Sequence, residues 1–242
     1  MIKRIAVPLY GVTSYLLGVA ALLWWWAAML GVMPFAPGPV EVSGAARYGL
    51  AGALMLLFAV QHTIMARSGF KAALTKFIPK AAERSTFVLA TGIVLGTVLY
   101  LWPAMPEVVW SVQGTVLRYT LTGIAALGFG YLFVASFAIN HFELFGLQQV
   151  YHYFKQQNIE KVPFRERLMY RFDRHPIMTG ALVGSWVTPH MTLDHLLFSS
   201  LLTLYIVIGV SIEERDLFNE LGQTYSDYAK RVKSIIPTPR RA

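Results

Sequence analysis

Apolar residues occur along the chain in long runs separated by short polar segments. An α-helix needs about 20 apolar residues to cross the roughly 30 Å hydrocarbon core of a bilayer. Five runs reach or approach that length and one is shorter; they cover 7–33, 48–66, 86–102, 117–139, 177–191 and 195–212. The pattern predicts an all-α fold, a polytopic membrane bundle with about six transmembrane segments.

The fifth apolar run is the weakest of the six. Thr188-Pro189 interrupts it, and the segment 176–187 before this break would rise only about 18 Å as a helix. That length is less than the thickness of the bilayer core. The fifth and sixth runs therefore predict a tight C-terminal helical hairpin. The sequence leaves open whether the first arm of this hairpin crosses the bilayer completely.

Lysine and arginine fall almost entirely on one side of the predicted membrane. Two precede the first run, five occur in 67–84, six in 140–174 and six after residue 212, whereas the loops on the other side carry only Arg47 and Arg118. Positive residues favour the cytoplasmic face, so both termini and both basic loops are predicted to be cytoplasmic. The formal charge of +8 then belongs to the inner membrane surface. Because no basic residues group on a soluble nucleic-acid-binding motif, no nucleic-acid partner is predicted.

Composition agrees with a membrane protein and removes several kinds of chemistry. The 242 residues are 55% hydrophobic and 14% charged, with a mean hydropathy of +0.50, which is too apolar for an ordinary soluble domain. The chain has no cysteine, so disulfides, thiolate metal sites and a cysteine nucleophile are excluded. We predict no metal site. The first apolar run continues to about Met33 without a small-residue cleavage site, which predicts a retained transmembrane helix.

Ionisable residues are unevenly distributed between the two halves of the chain. Residues 1–242 contain no long linker, low-complexity tract or clear repeat, which predicts a single domain. The first three apolar runs hold few ionisable groups. We therefore predict that 1–115 forms scaffold helices and that 116–242 carries the chemistry.

Imidazoles and carboxylates from four predicted helices fall at one depth, near the cytoplasmic side. His62 lies a turn before the end of the second run, His141 and Glu143 follow the fourth, His175 begins the fifth, and Glu213-Glu214 end the sixth. Helix ends are the ordinary place for any single polar residue. Three histidines and three glutamates at one level instead predict a functional site.

The segment His175-Pro176 predicts a helix start that can bind an anion. Proline suits the first helical turn, because its missing N–H would have had no partner there. His175 then lies at or near the N-cap, beside free backbone N–H groups and the positive end of the helix dipole. Such a terminus can hold the carboxylate of an amino-acid-like cofactor, with Arg174 as a second positive group. Gly180 would let either a ligand or a neighbouring helix approach the backbone, and the sequence leaves both roles open.

The pair Glu213-Glu214 and the aromatic residues after it predict the rest of the pocket. Consecutive helical residues point about 100° apart, so one glutamate can face the bundle and hold an ammonium group or ribose hydroxyls. A salt bridge to Arg174 or Arg171 is the structural alternative. Tyr225 and Tyr228 give the following helix an aromatic face, which would close over an adenine or lie on the membrane interface.

These residues carry a resemblance to a known family of membrane proteins. The motifs are RHP-x-x-x-G at 174–180, EE at 213–214, LG-x-x-Y-x-x-Y-x-x-x-V at 221–232 and the terminal Pro237. Together they resemble the isoprenylcysteine carboxyl methyltransferase-like superfamily. The segment HFELFGLQQVY after Asn140, the context VQHTIMAR around His62 and the six-run layout are more similar to its nurim-like branch, specifically to the methanethiol S-methyltransferases.

The resemblance implies a methyltransferase that uses S-adenosyl-L-methionine to methylate a small thiol, methanethiol, to dimethyl sulfide. For this reaction we predict His62 or His141 as the base that deprotonates the thiol. The predicted cofactor-binding residues are Arg174, His175, Pro176, Gly180, Glu213, Glu214, Tyr225 and Tyr228. Ile177-Met178 stands where the prenylcysteine enzymes have a tyrosine-containing version, which argues against a prenylated protein as acceptor. The predicted location is the bacterial inner membrane, with a cytoplasmic active site and with the lipid bilayer and the thiol as partners.

Three other functions are compatible with parts of the pattern. Membrane sterol-type reductases share a C-terminal Tyr/Tyr/Val/Pro pattern and bind NADPH, but we find no extra set of basic residues for a 2′-phosphate. A nurim-like structural protein or an accessory factor in nitrogen-oxide metabolism is the non-enzymatic alternative. Haem binding would rest on His62 and His141 alone.

Overall fold

The computed structural model describes residues 2–35, 38, 40, 42–158 and 166–235, and most of these residues are helical. The ten α-helices of this part of the chain are α1 Ile2–Met29, α2 Ala46–Ala66, α3 Ser68–Leu74, α4 Glu83–Leu101, α5 Thr115–Ile139, α6 His141–Leu144, α7 Leu147–Lys155, α8 Pro176–Trp186, α9 Leu193–Leu221 and α10 Gln223–Arg231. Two short strands, β1 Val108–Ser111 and β2 His190–Thr192, and two 3₁₀ turns, Lys80–Ala82 and Leu168–Arg171, complete the elements. The predicted all-α class is confirmed.

Five of these helices are long and apolar enough to cross a membrane. They are Arg4–Met29, Ala46–Ala66, Lys80–Leu101, Thr115–Ile139 and Leu193–Leu221. The protein is therefore an integral membrane protein, as the apolar runs predict. The fifth predicted run forms only the 11 residues of α8, a rise of about 16 Å, so it is too short to cross as a helix alone.

The last long helix extends well beyond the apolar run that predicts it. The run ends at residue 212, but α9 continues to Leu221. Glu213 and Glu214 therefore lie two turns inside the helix rather than at its end. The helix continues because glutamate, arginine and leucine, which make up most of residues 213–221, are good helix formers. It ends at Gly222, which adopts a positive φ of 54° that favours glycine.

By its internal contacts the chain divides into two compact units. The first unit comprises Met1–Ala104 with Asn140–Pro163, and the second comprises Met105–Ile139 with Phe164–Ala242. The single domain, and the roles predicted for 1–115 and 116–242, stay predictions.

In the first unit, glycines allow helices to approach α1 closely. A Cβ at Gly92 of α4 would lie 2.9 Å from the Cα of Gly18, and one at Gly11 would lie 2.6 Å from Val150 of α7. Small residues at such contacts let helix backbones pack without intervening side chains. The α7 helix therefore packs along the first half of α1.

In the second unit, α8 packs antiparallel to α5 through glycines. A Cβ at Gly180 would lie 2.5 Å from the carbonyl oxygen of Gly128, and one at Gly128 would lie 2.8 Å from the amide nitrogen of Gly184. On the other side of α8, Trp186 Nε1 donates a hydrogen bond to Thr203 Oγ1 of α9 at 2.8 Å. The predicted hairpin of α8 and α9 is thus present, and α5 supports it.

An extended segment continues the direction of α8. Trp110 Nε1 donates to the carbonyl oxygen of Thr188 at 3.0 Å, and the antiparallel pairing of β1 and β2 joins Ser111 to His190 and Val108 to Thr192. Since β1 precedes α5, the segment 187–192 reaches the end of the unit at which α5 begins. The path from Pro176 to Thr192 therefore runs back along α5.

Candidate functional site

The turn before α8 is held by the C-terminal tail. The Arg174 N–H donates to Lys233 O at 2.9 Å, and the His175 N–H donates to Ser234 O at 3.0 Å. His175 is the N-cap residue and Pro176 occupies the first turn, as the sequence predicts. Pro237, the last residue of the motif, lies outside the described residues. The tail thus pairs with the chain at the point where α8 presents its first N–H groups.

Glu214 is the centre of a hydrogen-bonded cluster. Its Oε1 accepts from Arg174 Nη2 at 2.6 Å and Nε at 2.9 Å, and from Ser234 Oγ at 2.9 Å. His175 Nε2 lies 3.0 Å from the same oxygen. Charge-assisted hydrogen bonds of this kind are the strong ones in proteins. Through these hydrogen bonds Glu214 links α9 to the start of α8 and to the C-terminal tail.

Glu213 has very different surroundings. Its side chain is 51% exposed, and its Oε2 lies 3.7 Å from His175 Nδ1. The one-residue step along α9 turns this carboxylate away from the Glu214 cluster while keeping it beside the same imidazole. The Glu213 carboxylate is thus a negative group next to the N-terminus of α8, and its exposure makes it accessible to a ligand.

The Arg174 guanidinium is fully engaged within the protein. Beside its contacts with Glu214, Arg174 Nη1 donates to Ala229 O at 2.9 Å and to Val232 O at 2.6 Å. The side chain is only 11% exposed. The salt bridge between Arg174 and Glu214 is the structural alternative considered for the sequence, and Arg174 also anchors the end of α10. The role of Arg174 toward an anion stays a prediction.

Tyr225 and Tyr228 are buried in a small aromatic and aliphatic cluster. They pack with Val232 against Leu217 and Leu221, and Tyr228 OH donates to Tyr170 O at 2.7 Å. Burial, followed by the negative charge of nearby Glu214, raises the pKa of Tyr225 to about 12. Both phenols are therefore neutral at physiological pH, and the aromatic face predicted for α10 turns inward.

Asp173 joins this site, and the sequence analysis did not select it. Its side chain is completely buried; Oδ1 accepts the His175 N–H at 3.0 Å, and Oδ2 accepts Tyr131 OH from α5 at 3.3 Å. Burial raises the pKa of Asp173, and hydrogen bonds from Thr179, the His175 N–H and Tyr131 oppose that rise. The available signal was an acidic residue two positions before a helix N-cap, in a segment that is otherwise basic.

Gly180 takes the helix-packing role in this structure. Its missing side chain admits the backbone of α5, with the amide nitrogen of Leu132 only 2.7 Å from the position of a Cβ. Gly180 thus sets how closely α8 approaches α5, and its contribution to a ligand pocket stays a prediction.

The two candidate bases, His62 and His141, belong to the first unit. His62 lies between the rings of Phe58 and Phe87, with centroid distances of 5.5 and 5.0 Å. His141 is buried, its Nε2 lies 3.1 Å from Tyr15 OH, and burial lowers its pKa. Neutral imidazoles can accept a proton. Within the described residues, no group of three or more His, Asp or Glu side chains is placed to hold a metal ion.

Comparison with known proteins gives matches over essentially the whole chain. The chain is 40% identical to the methanethiol S-methyltransferase of Mycobacterium tuberculosis, over 99% of both chains. It is 39% identical to methanethiol S-methyltransferase 1 of Bradyrhizobium diazoefficiens, over 94% of this chain and 83% of the relative. Nurim of Sus scrofa is 32% identical over 68% of this chain and 65% of its own length. No family model and no solved structure matches the chain.

Proposed function

Because the chain belongs to the methanethiol S-methyltransferase family, we propose that it methylates methanethiol with S-adenosylmethionine as the methyl donor. The products are dimethyl sulfide, S-adenosylhomocysteine and the proton lost by the thiol. The observation that carries this proposal is the 40% identity to the Mycobacterium tuberculosis enzyme, which extends over 99% of both chains.

The residues at the start of α8 fit the amino-acid end of S-adenosylmethionine. This end carries a carboxylate and an ammonium group. The first-turn N–H groups of α8, which have no acceptor within the helix, would hold the carboxylate. The half-exposed Glu213 carboxylate would hold the ammonium group. The partly buried Glu214 cluster would keep the α8 N-terminus and Glu213 in place, with Arg174 acting through Glu214 and the tail.

Tyr225, Tyr228 and Gly180 would contribute by packing. The two tyrosines secure α10 against the end of α9, and Gly180 lets α8 lie directly on α5. A site formed by rigid packing holds its ligand in one orientation, which is the main requirement for aligning two reacting sulfurs.

The chemistry needs an activated methyl group and a deprotonated thiol. When bound, S-adenosylmethionine supplies a methyl group that is already activated by the sulfonium charge, without a metal. His62 and His141 are the proposed bases for deprotonating the thiol, because even a cysteine thiol, with a pKa near 8.5, is mostly protonated at neutral pH. An apolar surrounding favours the reaction between a thiolate and a cation, since charge disappears as they combine.

We further propose that the protein lies in the bacterial inner membrane with this site on the cytoplasmic side. The basic loops favour that orientation. A small thiol is soluble in lipid and can enter laterally from the bilayer, which gives a reason for a membrane location.

The direct test is the formation of dimethyl sulfide by membranes that contain the protein. Membranes receive methanethiol and methyl-labelled S-adenosylmethionine, and labelled dimethyl sulfide is measured in the headspace. We expect product above the level of empty-vector membranes and almost none with His175→Ala. Absence of product from the unaltered protein would refute methanethiol as substrate. Calorimetry with S-adenosylmethionine and with NADPH separates methyl transfer from the reductase alternative.

A further inference from the structure

The carboxylate of Asp173, which the sequence analysis did not select, lies where the turn before α8, helix α5 and the C-terminal tail meet. Asp173 is completely buried, and its backbone pairs with Lys233 of the tail. Its side chain reaches both the backbone of His175 and the hydroxyl of Tyr131 on α5. A buried carboxyl group is unfavourable unless hydrogen bonds compensate for lost hydration. Its two oxygens are therefore held in place by the groups that they accept from.

The hydrogen bond to His175 restricts the turn that begins α8. The His175 N–H points at Asp173 Oδ1 and at Ser234 O, each at 3.0 Å. His175 has a non-helical backbone, with φ −127° and ψ 59°. The two acceptors of its N–H help to hold the backbone in this conformation, from which the imidazole projects. Asp173 supplies a fixed acceptor within the same turn, whereas Ser234 belongs to the tail.

The His175 imidazole contacts both glutamates of α9. His175 Nε2 contacts Glu214 at 3.0 Å and Nδ1 lies 3.7 Å from Glu213. A rotation of the turn would move the imidazole away from both carboxylates and would redirect the first N–H groups of α8. The hydrogen bond from the Tyr131 hydroxyl opposes such a rotation, because it joins Asp173 to α5, the helix on which α8 packs.

We propose that Asp173 is a positioning residue, which aligns His175 and the start of α8 with Glu213 for binding of S-adenosylmethionine. This inference rests on the proposed function. It assigns to Asp173 no contact with the cofactor; its effect passes through His175. Tyr131 has a supporting role, because its hydroxyl donates a hydrogen bond to the other carboxylate oxygen of Asp173.

The test compares cofactor affinity and stability in purified full-length protein. Calorimetry measures the Kd for S-adenosylmethionine, and thermal unfolding measures stability. Asp173→Ala removes the side-chain acceptor of the His175 N–H and of the Tyr131 hydroxyl, so we expect the Kd to rise about tenfold or more. Asp173→Asn keeps an acceptor for the His175 N–H, so its Kd should rise less than about threefold.

Asp194 provides a matched control in the same unit. Asp194 is also buried, and its Oδ1 accepts the backbone N–H of His195 at 2.8 Å. It lies at the start of α9, far along the helix from Glu213 and Glu214. Asp194→Ala should lower thermal stability and leave the Kd of the folded protein unchanged. If Asp173 has only a structural role, Asp173→Ala will likewise lower thermal stability and leave the Kd unchanged. That result would overturn the proposal.

Tyr131→Phe keeps the proposal testable if Asp173→Ala does not fold. It removes one hydrogen bond to the carboxylate, and we expect the Kd to rise about threefold. An unchanged Kd in this variant would contradict the proposal. If the unaltered protein itself binds no S-adenosylmethionine, the proposed function fails, which is a separate result from the failure of Asp173 to matter.

Discussion

Glu213 and Glu214 are adjacent in the sequence but have opposite surroundings on α9. Glu214 accepts from Arg174, His175 and Ser234 and is 19% exposed, whereas Glu213 is 51% exposed and makes a longer contact with His175. The difference follows from the 100° step between consecutive helical residues. Glu214 is therefore engaged within the protein, whereas the Glu213 carboxylate is accessible, and we propose that only Glu213 contacts the cofactor.

This division predicts different effects of the same substitution. Glu213→Gln should raise the KM for S-adenosylmethionine about tenfold, because it removes the charge opposite an ammonium group, with thermal stability unchanged. Glu214→Gln should lower the melting temperature by roughly 5 °C, because it leaves Arg174 without its counter-charge. Initial-rate kinetics and thermal unfolding measure the two effects.

Glu220 is the control residue for this pair. It is an exposed glutamate on the same helix, so Glu220→Gln should change neither quantity. Equal losses of stability in the Glu213 and Glu214 variants would show that the two carboxylates do not have separate roles.

His141 allows a test by pH. Burial lowers the pKa of His141 below its ordinary value, so its imidazole is neutral between about pH 6.5 and 8 and able to accept a proton. If His141 is the base, the rate of the unaltered protein should vary little over this range. The rate of His141→Gln should rise with pH by up to about tenfold per unit, because the thiol must then lose its proton to solvent.

The comparison between the two histidines identifies the base. The same profile is recorded for His62→Gln, whose side chain lies between two phenylalanines of the first unit. Parallel profiles for the unaltered protein and both variants would exclude both residues as the base.

At the scale of elements, the contact between α5 and α8 determines the position of the site. Gly128, Gly180 and Gly184 bring the two backbones together, so the N-terminus of α8 lies where Tyr131 of α5 can reach Asp173. Without a strong hydrophobic force between helices in lipid, close packing of small residues is a main source of their association.

A single methyl group should disturb this contact. In Gly180→Ala the new Cβ would lie 2.5 Å from a backbone oxygen of α5, and α8 would have to move. We expect overpacking to cost about 1–3 kcal/mol and to weaken cofactor binding as well. Thermal unfolding and calorimetry measure both effects.

Gly130 serves as the matched glycine on α5. A Cβ there would meet nothing within 4 Å, so Gly130→Ala should leave stability unchanged or raise it by up to about 1 kcal/mol, because alanine favours the helix. Equal effects at the two positions would mean that the close contact does not matter.

At the scale of the molecule, the path from α8 to β2 bears on the number of membrane crossings. Five long helices alone would place the two termini on opposite sides. In the second unit, however, α8 followed by residues 187–192 runs back along α5 to the strand β1 that precedes it. We therefore predict six crossings, the fifth completed by extended chain, with both termini cytoplasmic.

The absence of cysteine makes this topology directly testable. Single cysteines are introduced at four exposed positions, Lys76, Gln113, His190 and Glu220, and intact cells are treated with a membrane-impermeant maleimide. We expect labelling of Gln113→Cys and His190→Cys from outside, and of the other two only after permeabilisation. Labelling of His190→Cys only after permeabilisation would contradict the fifth crossing.

Local sequence alone determines the long helices of this protein and the point at which α8 begins. Long apolar runs have to lie in lipid, so the sequence predicts the five long helices without knowledge of any contact. Proline after His175 likewise predicts the start of α8, because the preference of proline for the first helical turn is local. Family membership also follows from the sequence, through motifs that extend over the whole chain.

Only the tertiary structure decided which partners the polar residues of the site have. Arg174 meets Glu214 from 40 residues away, and Tyr131 meets Asp173 from 42 residues away. Spacing along the chain does not determine the rotation of one helix against another, so it could not tell that Glu214 is paired and Glu213 accessible. Nor could it show that Tyr225 and Tyr228 turn inward, or that a buried aspartate before the RHP motif supports the turn.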